Sequence, residues 1–158
     1  MQALGNVLWN VPFMGFVNAS MVYLFGLLIT ATGIGAPIGL GLMEYGKFLF
    51  APFGREMVSK SELGAEQNKN WQRFSLVMSI LWAPFGALMW MMAIVQIVLC
   101  SLSIIGFPVA VVVAKSLRTY FNPVNKKCVA ASVKQELERK KGKEEINRYL
   151  TSEKQETA

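Results

Sequence analysis

The side chains able to do covalent or acid–base chemistry are few, and none has a partner at working distance in sequence. The 158-residue chain has no histidine, the commonest general acid, base and metal ligand near neutral pH. Its two cysteines, Cys100 and Cys128, lack the spacing of a metal site or a disulfide framework, so both are expected to stay reduced or inert. No charged residue occurs from Met1 to Met43 or from Phe74 to Ala114, which leaves Cys100 and the serines of those stretches without a base. Met14, Met21, Met78, Met89, Met91 and Met92 are soft ligands in principle, although methionine in an apolar helix ordinarily fills space. The reading is no enzyme, no metal and no cofactor.

What remains is chemistry by hydrogen bonding and by exposed backbone. Gly33, Gly35, Pro37 and Gly39 interrupt the first apolar stretch, and Gly106 and Pro108 interrupt the second. Proline removes a backbone donor and glycine permits a bend, so these six residues are candidates for lining or shaping a pathway. Asn18, Thr30, Thr32, Gln96 and Ser103 are candidate polar contacts within the membrane. Asn6 and Asn10 share a helical face at i, i+4, and such amides serve either as glue between helices or as the lining of a polar route.

These residues must be carried by membrane elements. A hydrophobic content of 53% and a mean hydropathy of +0.37 are too apolar for a soluble domain of this length. Each charge-free stretch exceeds the roughly 20 residues that cross a bilayer. Met1 is not followed by a basic segment, so the first stretch is expected to remain in the mature protein.

One register relates the two stretches. The offset that carries Gly35 onto Gly106 also carries Pro37 onto Pro108, Lys47 onto Arg118, Phe50 onto Phe121, Pro52 onto Pro123 and Val58 onto Val129. The expected fold is an all-α integral membrane protein of two tandem repeats. Each repeat is a long transmembrane helix, a Gly-x-Pro break and a shorter helix (Ile38 to Phe50, Val109 to Phe121). That makes four membrane segments and a charged C-terminal tail.

The divisions are membrane repeat 1 at 1–58, a polar linker at 59–73, membrane repeat 2 at 74–129 and a basic tail at 130–158. Trp9 and Trp82 are expected to serve packing and anchoring, since indole sits well at the headgroup level, and Pro12 and Pro84 are expected to mark bends near helix starts. Gly54 and Asn125 occupy one register position, and both residue types readily take positive φ. Glu44, Lys47, Lys115 and Arg118 are expected to be interfacial anchors, the long Lys and Arg stems reaching a membrane surface. The tail is expected to be a polar helix or disordered, interrupted at Gly142. From Lys115 onward eleven basic residues face six acidic ones, which places the tail in the cytoplasm. Basic residues at 47/118 and 55/126 favour halves that share an environment, each a hairpin, over inverted single spans.

The motifs Pro-Phe-Gly-Arg-Glu-Met-Val at 52–58, Ser-Ile-Ile-Gly-Phe-Pro at 103–108 and Pro-Val-Asn-Lys-Lys-Cys-Val at 123–129 resemble the YccF family of small inner-membrane proteins. The resemblance covers residues 4 to 130, departing at Ala110 and Asn125, where the family usually has glycine. It implies two copies of a short membrane domain in a bacterial inner membrane, with a cytoplasmic C terminus. It implies no activity.

Two functions fit. One is a homo-oligomeric inner-membrane channel or small-solute transport protein in which broken helices line or shape the path. Backbone freed in lipid costs several kcal/mol unless it is buried or lines water, and at most four spans enclose little without further subunits. The other is a membrane-anchored structural or adaptor protein whose basic tail recruits a cytoplasmic protein partner or anionic lipid. Membrane lipids and further copies of the chain are expected partners, and nucleic acid is not.

Overall fold

The computed structural model describes residues 2–65 and 68–156, with side chains as far as residue 151. Residues 66 and 67 of the expected linker and the side chains of 152–158 in the expected tail lie outside the described residues. The elements are α1 (Gln2–Asn10), α2 (Gly15–Ala31), α3 (Ala36–Phe50), β1 (Arg55–Ser59), α4 (Lys69–Ser101), α5 (Phe107–Phe121), β2 (Lys126–Ala130) and α6 (Ala131–Glu156). The offset that relates Gly35 to Gly106 carries Ala36–Phe50 onto Phe107–Phe121 and Arg55–Ser59 onto Lys126–Ala130.

Each Gly-x-Pro stretch opens a helix; it does not kink one. Pro37 and Pro108 lie in the first turns of α3 and α5, where a backbone N–H has no intrahelical acceptor and proline's fixed φ suits the helix. Gly33 turns through φ +74° with open space around it. Gly35 N–H donates to Thr32 Oγ1 at 3.2 Å, and Gly106 N–H donates to Ser103 Oγ at 2.9 Å. The two hydroxyls hold two equivalent turns.

The result is a pair of antiparallel helical hairpins, α2–α3 and α4–α5. Gly26 of α2 lies against Gly39 and Met43 of α3, and Ala19 and Tyr23 lie against Gly46. Small residues at such contacts let the helix backbones approach closely. In the second hairpin Gly86 lies under the Phe121 carbonyl.

The helical expectation holds in its main lines, with one omission. β1 and β2 pair antiparallel, with Arg55 opposite Ala130, Met57 opposite Cys128 and Ser59 opposite Lys126. Met57 and Cys128 are also related by the offset that carries Gly35 onto Gly106, so the ladder is symmetric about that pair. The flanking bonds match: Lys60 N–H donates to Asn125 O at 2.8 Å and Ala131 N–H to Gly54 O at 3.1 Å. Strands this short are stable only where pairing and packing support them, and their partners lie far apart in sequence.

Several local expectations are corrected. Pro12 does end a helix: α1 and α2 are bent by 78° across the break, and Met14 turns through φ 49°. Pro84 does not, because α4 runs through it for 33 residues. Membrane helices often tolerate an interior proline in this way. Asn125 takes a positive φ of 57° and Gly54 does not, so the equivalent turns differ. Trp71 and Arg73 lie in the first turns of α4, after an Asn68 cap whose side chain accepts from Asn70 N–H at 3.2 Å. Gly142 lies inside α6, which is continuous.

One buried cluster joins Trp9, Ala19, Tyr45, Phe48, Leu49 and Val112, and a second joins Ile38, Met78 and Val124. Both contain residues from the two hairpins, so the hairpins share a core. Of the packing and anchoring expected of it, Trp9 shows packing: it is 5% exposed and its Nε1–H donates to Leu49 O at 2.8 Å. Trp82 is half-buried against Phe85, with ring centroids 4.8 Å apart. Asn6 and Asn10 are glue. Phe53 N–H donates to Asn6 Oδ1 at 3.1 Å, and Asn10 Nδ2 donates to Phe50 O at 3.3 Å.

Candidate functional site

Four helices contribute polar side chains to one cavity of about 230 Å³. Asn18 comes from α2, Tyr45 from α3, Gln96 from α4 and Tyr120 from α5, with Trp9, Phe13, Leu49 and the Val109–Val113 side of α5 completing the wall. Tyr45 is 5% exposed and its hydroxyl donates to Tyr120 Oη at 3.0 Å. The rings meet edge to face at 5.6 Å and 69°, the geometry aromatic pairs favour. Asn18 and Gln96 line the cavity and are exposed.

Every polar group here is a neutral hydrogen-bonding group. The site can hold water or a small polar solute, since a water needs about 30 Å³ and two to four polar partners. Among the described residues no group of three or more His, Cys, Asp or Glu is placed to hold a metal ion.

The other expected site residues are placed elsewhere. Thr30 Oγ1 donates to Gly26 O at 2.7 Å, so Thr30, like Thr32 and Ser103, spends its hydroxyl on local backbone. Gly33, Gly35, Gly39, Gly106 and Pro108 form the turns and the close helix contacts beside them. Pro37 lines a separate cleft of about 180 Å³ with Glu44, Lys60 and Trp71. The structure thus brings Asn18 and Gln96 together and leaves the breaks apart from them. Tyr45 and Tyr120 were missed. A phenol inside an apolar helix needs a partner, and that was the available signal.

The charges form a layer around the sheet. Glu44 pairs with Lys47 at 2.5 Å and accepts from Cys128 N–H at 2.9 Å. Lys115, at the equivalent position, donates to Pro52 O at 2.9 Å and pairs with Glu56 at 2.7 Å. Glu44 and Lys115, expected as interfacial anchors, each also tie their helix to the other half. Burial pushes the Cys128 thiol up, which keeps it protonated and unreactive. A cleft of about 530 Å³ between β1, α5 and α6 is spanned by Lys134–Glu56 at 3.3 Å and Lys141–Glu62 at 2.7 Å.

Around this interior the surface is apolar. Ile104 is 96% exposed and Leu102 82%, and only 11% of the most apolar window of α4 is buried. Such a surface requires lipid. Among the described residues α4 is long and apolar enough to cross a membrane, and the bent α1–α2 pair qualifies as a second span if taken together. The fold is that of a mostly helical membrane protein.

Residues 4–55, from α1 to the first residue of β1, match the family model of the YccF inner membrane component domain. The chain is thus similar to an inner-membrane component over the first hairpin, and the resemblance read from the sequence is met there. No curated protein and no solved structure matches the chain.

Proposed function

We propose that this protein is a homo-oligomeric inner-membrane channel or small-solute transport protein, with the Asn18–Tyr45–Gln96–Tyr120 cavity as the polar station on its path. The observation that carries this reading is the convergence on one cavity of four polar side chains, one from each hairpin helix, beside walls that are otherwise apolar. Polar side chains in lipid need partners, and the grouping of Asn18 and Gln96 with the bonded Tyr45–Tyr120 pair supports a hydrated route over scattered glue. The Gly-x-Pro stretches shape this path by making the hairpins. A single chain has too few helices to enclose a pore, so the route lies between subunits or is completed by them.

The chain is read as two parallel copies of one hairpin-plus-strand unit, multi-pass, with the C terminus in the cytoplasm. The symmetry of the β1–β2 ladder about Met57 and Cys128 supports this.

Purified protein in liposomes tests it by glycerol swelling and potassium flux. Asn18→Leu with Gln96→Leu is expected to lower flux by about tenfold or more while particle mass in nanodiscs stays at several subunits. Unchanged flux, or a monomeric particle, overturns the reading.

A second reading is favoured by the far end of α6, where Ile146, Tyr149 and Leu150 are 59%, 72% and 53% exposed. That end suits an adaptor that docks a cytoplasmic partner. Removal of residues 131–158 separates the two: flux survives under the first reading and partner binding is lost under the second.

A further inference from the structure

A cleft of about 430 Å³ opens between α4 and the end of α5, lined by Trp90, Arg118, Phe121, Asn122 and Lys126. Its polar groups are hydrogen-bond donors with one exception, and that exception is occupied: Asn122 Oδ1 accepts from Val124 N–H at 2.9 Å. No carboxylate lines it. Arg118 and Lys126 take part in no ion pair among the described residues. Glu62, the acidic group that acts on Lys126, is already bonded to Lys141. Burial holds the Lys126 ammonium below the usual lysine value; Glu62 works against this and Arg118 adds to it. Two cations in one cleft that no carboxylate lines favour an anion between them.

The first hairpin supplies an internal control. At the equivalent positions stand Ala19, Lys47, Phe50, Ala51 and Arg55. There Lys47 is neutralised by Glu44, and Arg55 Nη1 donates to Lys47 O at 3.1 Å. The position of Glu44 is held in the second half by Lys115, a further cation committed to Glu56. The same geometry is closed in one half and open in the other.

We propose that the cleft between α4 and the end of α5 binds the phosphate of an anionic membrane lipid, with Arg118, Lys126 and Asn122 as donors. Trp90 and Phe121, 39% and 49% exposed, seat the glycerol backbone and upper acyl chain. Arg presents a planar fork that matches phosphate oxygens, and an indole is at home at headgroup depth. With no carboxylate in the wall, an ethanolamine ammonium finds no partner, so the site selects phosphatidylglycerol over phosphatidylethanolamine. It lies outside the tail and does not depend on transport.

Native mass spectrometry of the protein in mild detergent, incubated with equal amounts of the two lipids, reads this directly. Retained phosphatidylglycerol is expected to exceed phosphatidylethanolamine and to fall by about tenfold or more in Arg118→Gln with Lys126→Gln. Lys140→Gln with Lys143→Gln, in the exposed tail helix, is expected to leave retention unchanged. Equal retention of the two lipids, or full retention by the cleft variant, overturns the proposal. Displacement of the lipid by millimolar inorganic phosphate also overturns it, in favour of a free-phosphate site. Circular dichroism checks the fold of the double variant; if helix content drops, the exposed Arg118→Gln alone is expected to lower retention by about fivefold, and no change there refutes the site.

Discussion

At the scale of single residues, the fold depends on glycines that admit a neighbouring backbone and on polar groups that reach across the hairpins. Gly41 of α3 is buried directly against the Pro123 carbonyl, and a Cβ there would overlap it. Gly41→Ala is therefore expected to destabilise the protein by about 1–3 kcal/mol, the usual cost of overpacking. Gly142 of α6 has open space around it, and Gly142→Ala is expected to stabilise by up to about 1 kcal/mol through helix propensity. Thermal unfolding of the two variants in one detergent checks both signs. Equal effects would mean that Gly41 is not a tight contact. The Tyr45–Tyr120 bond joins residues 75 positions apart, and nothing in the local pattern of either helix names the other. Asn18 and Gln96 were legible as polar residues in apolar runs, because a lone amide in lipid demands an explanation whatever its neighbours. That they face one cavity was not.

At the scale of elements, α6 shows how a charged helix is held. It follows β2 directly, and Lys134 and Lys141, seven residues apart and so on one face, meet Glu56 and Glu62 on and after β1. The Lys141 bond and the Ser59 N–H hold the Glu62 carboxyl below its ordinary value of 4.5. A depressed carboxyl contributes stability that is complete above the ordinary value and is lost as pH falls through the depressed one. Lys141 is 55% exposed, so the pair is screened and contributes no more than about 1 kcal/mol. Docking of α6 is accordingly expected to loosen as pH falls below the ordinary carboxylate range, and in high salt. Spin labels at Ser61 and Lys143, with Cys100 and Cys128 replaced by alanine, read this as a broadened distance distribution. Lys141→Gln should give a broad distribution at neutral pH already and remove the pH step, and a pH-independent narrow distance would show that the ion pairs do not hold the helix. The continuity of α6 through Gly142 was not legible, because a single glycine costs only about 1 kcal/mol and the surrounding helix formers outweigh it.

At the scale of the whole molecule, the ladder symmetric about Met57 and Cys128 constrains how the chain sits in a bilayer. The charged layer of Glu44, Glu56, Lys115, Lys126 and Lys127 gathers around the sheet, and the turns at Ile34 and Ile104 carry no charge. An orientation that placed the sheet at mid-depth would immerse these charges in hydrocarbon, at a cost of several kcal/mol. The sheet is therefore expected at one surface, with both hairpins entering from that side. Ile34→Cys and Ile104→Cys, each in the cysteine-free background, should show the same reactivity toward an impermeant thiol reagent, and neither should react from the side that labels Lys127→Cys. Opposite sidedness of the two turns would establish inverted halves.

The sequence by itself determined the membrane class, the recurrence of the Gly-x-Pro turns and the helices that follow them, because these depend on apolar length, on proline's missing donor and on local backbone freedom. That Pro12 breaks a helix and Pro84 does not was not legible either, since the same residue can end a helix or be accommodated within one. Pairing of 55–59 with 126–130, the meeting of Asn18, Tyr45, Gln96 and Tyr120, and the cleft beside Arg118 were likewise decided only by the tertiary structure. Each brings together residues far apart along the chain, where loop closure and the shared core, not local propensity, choose the partner.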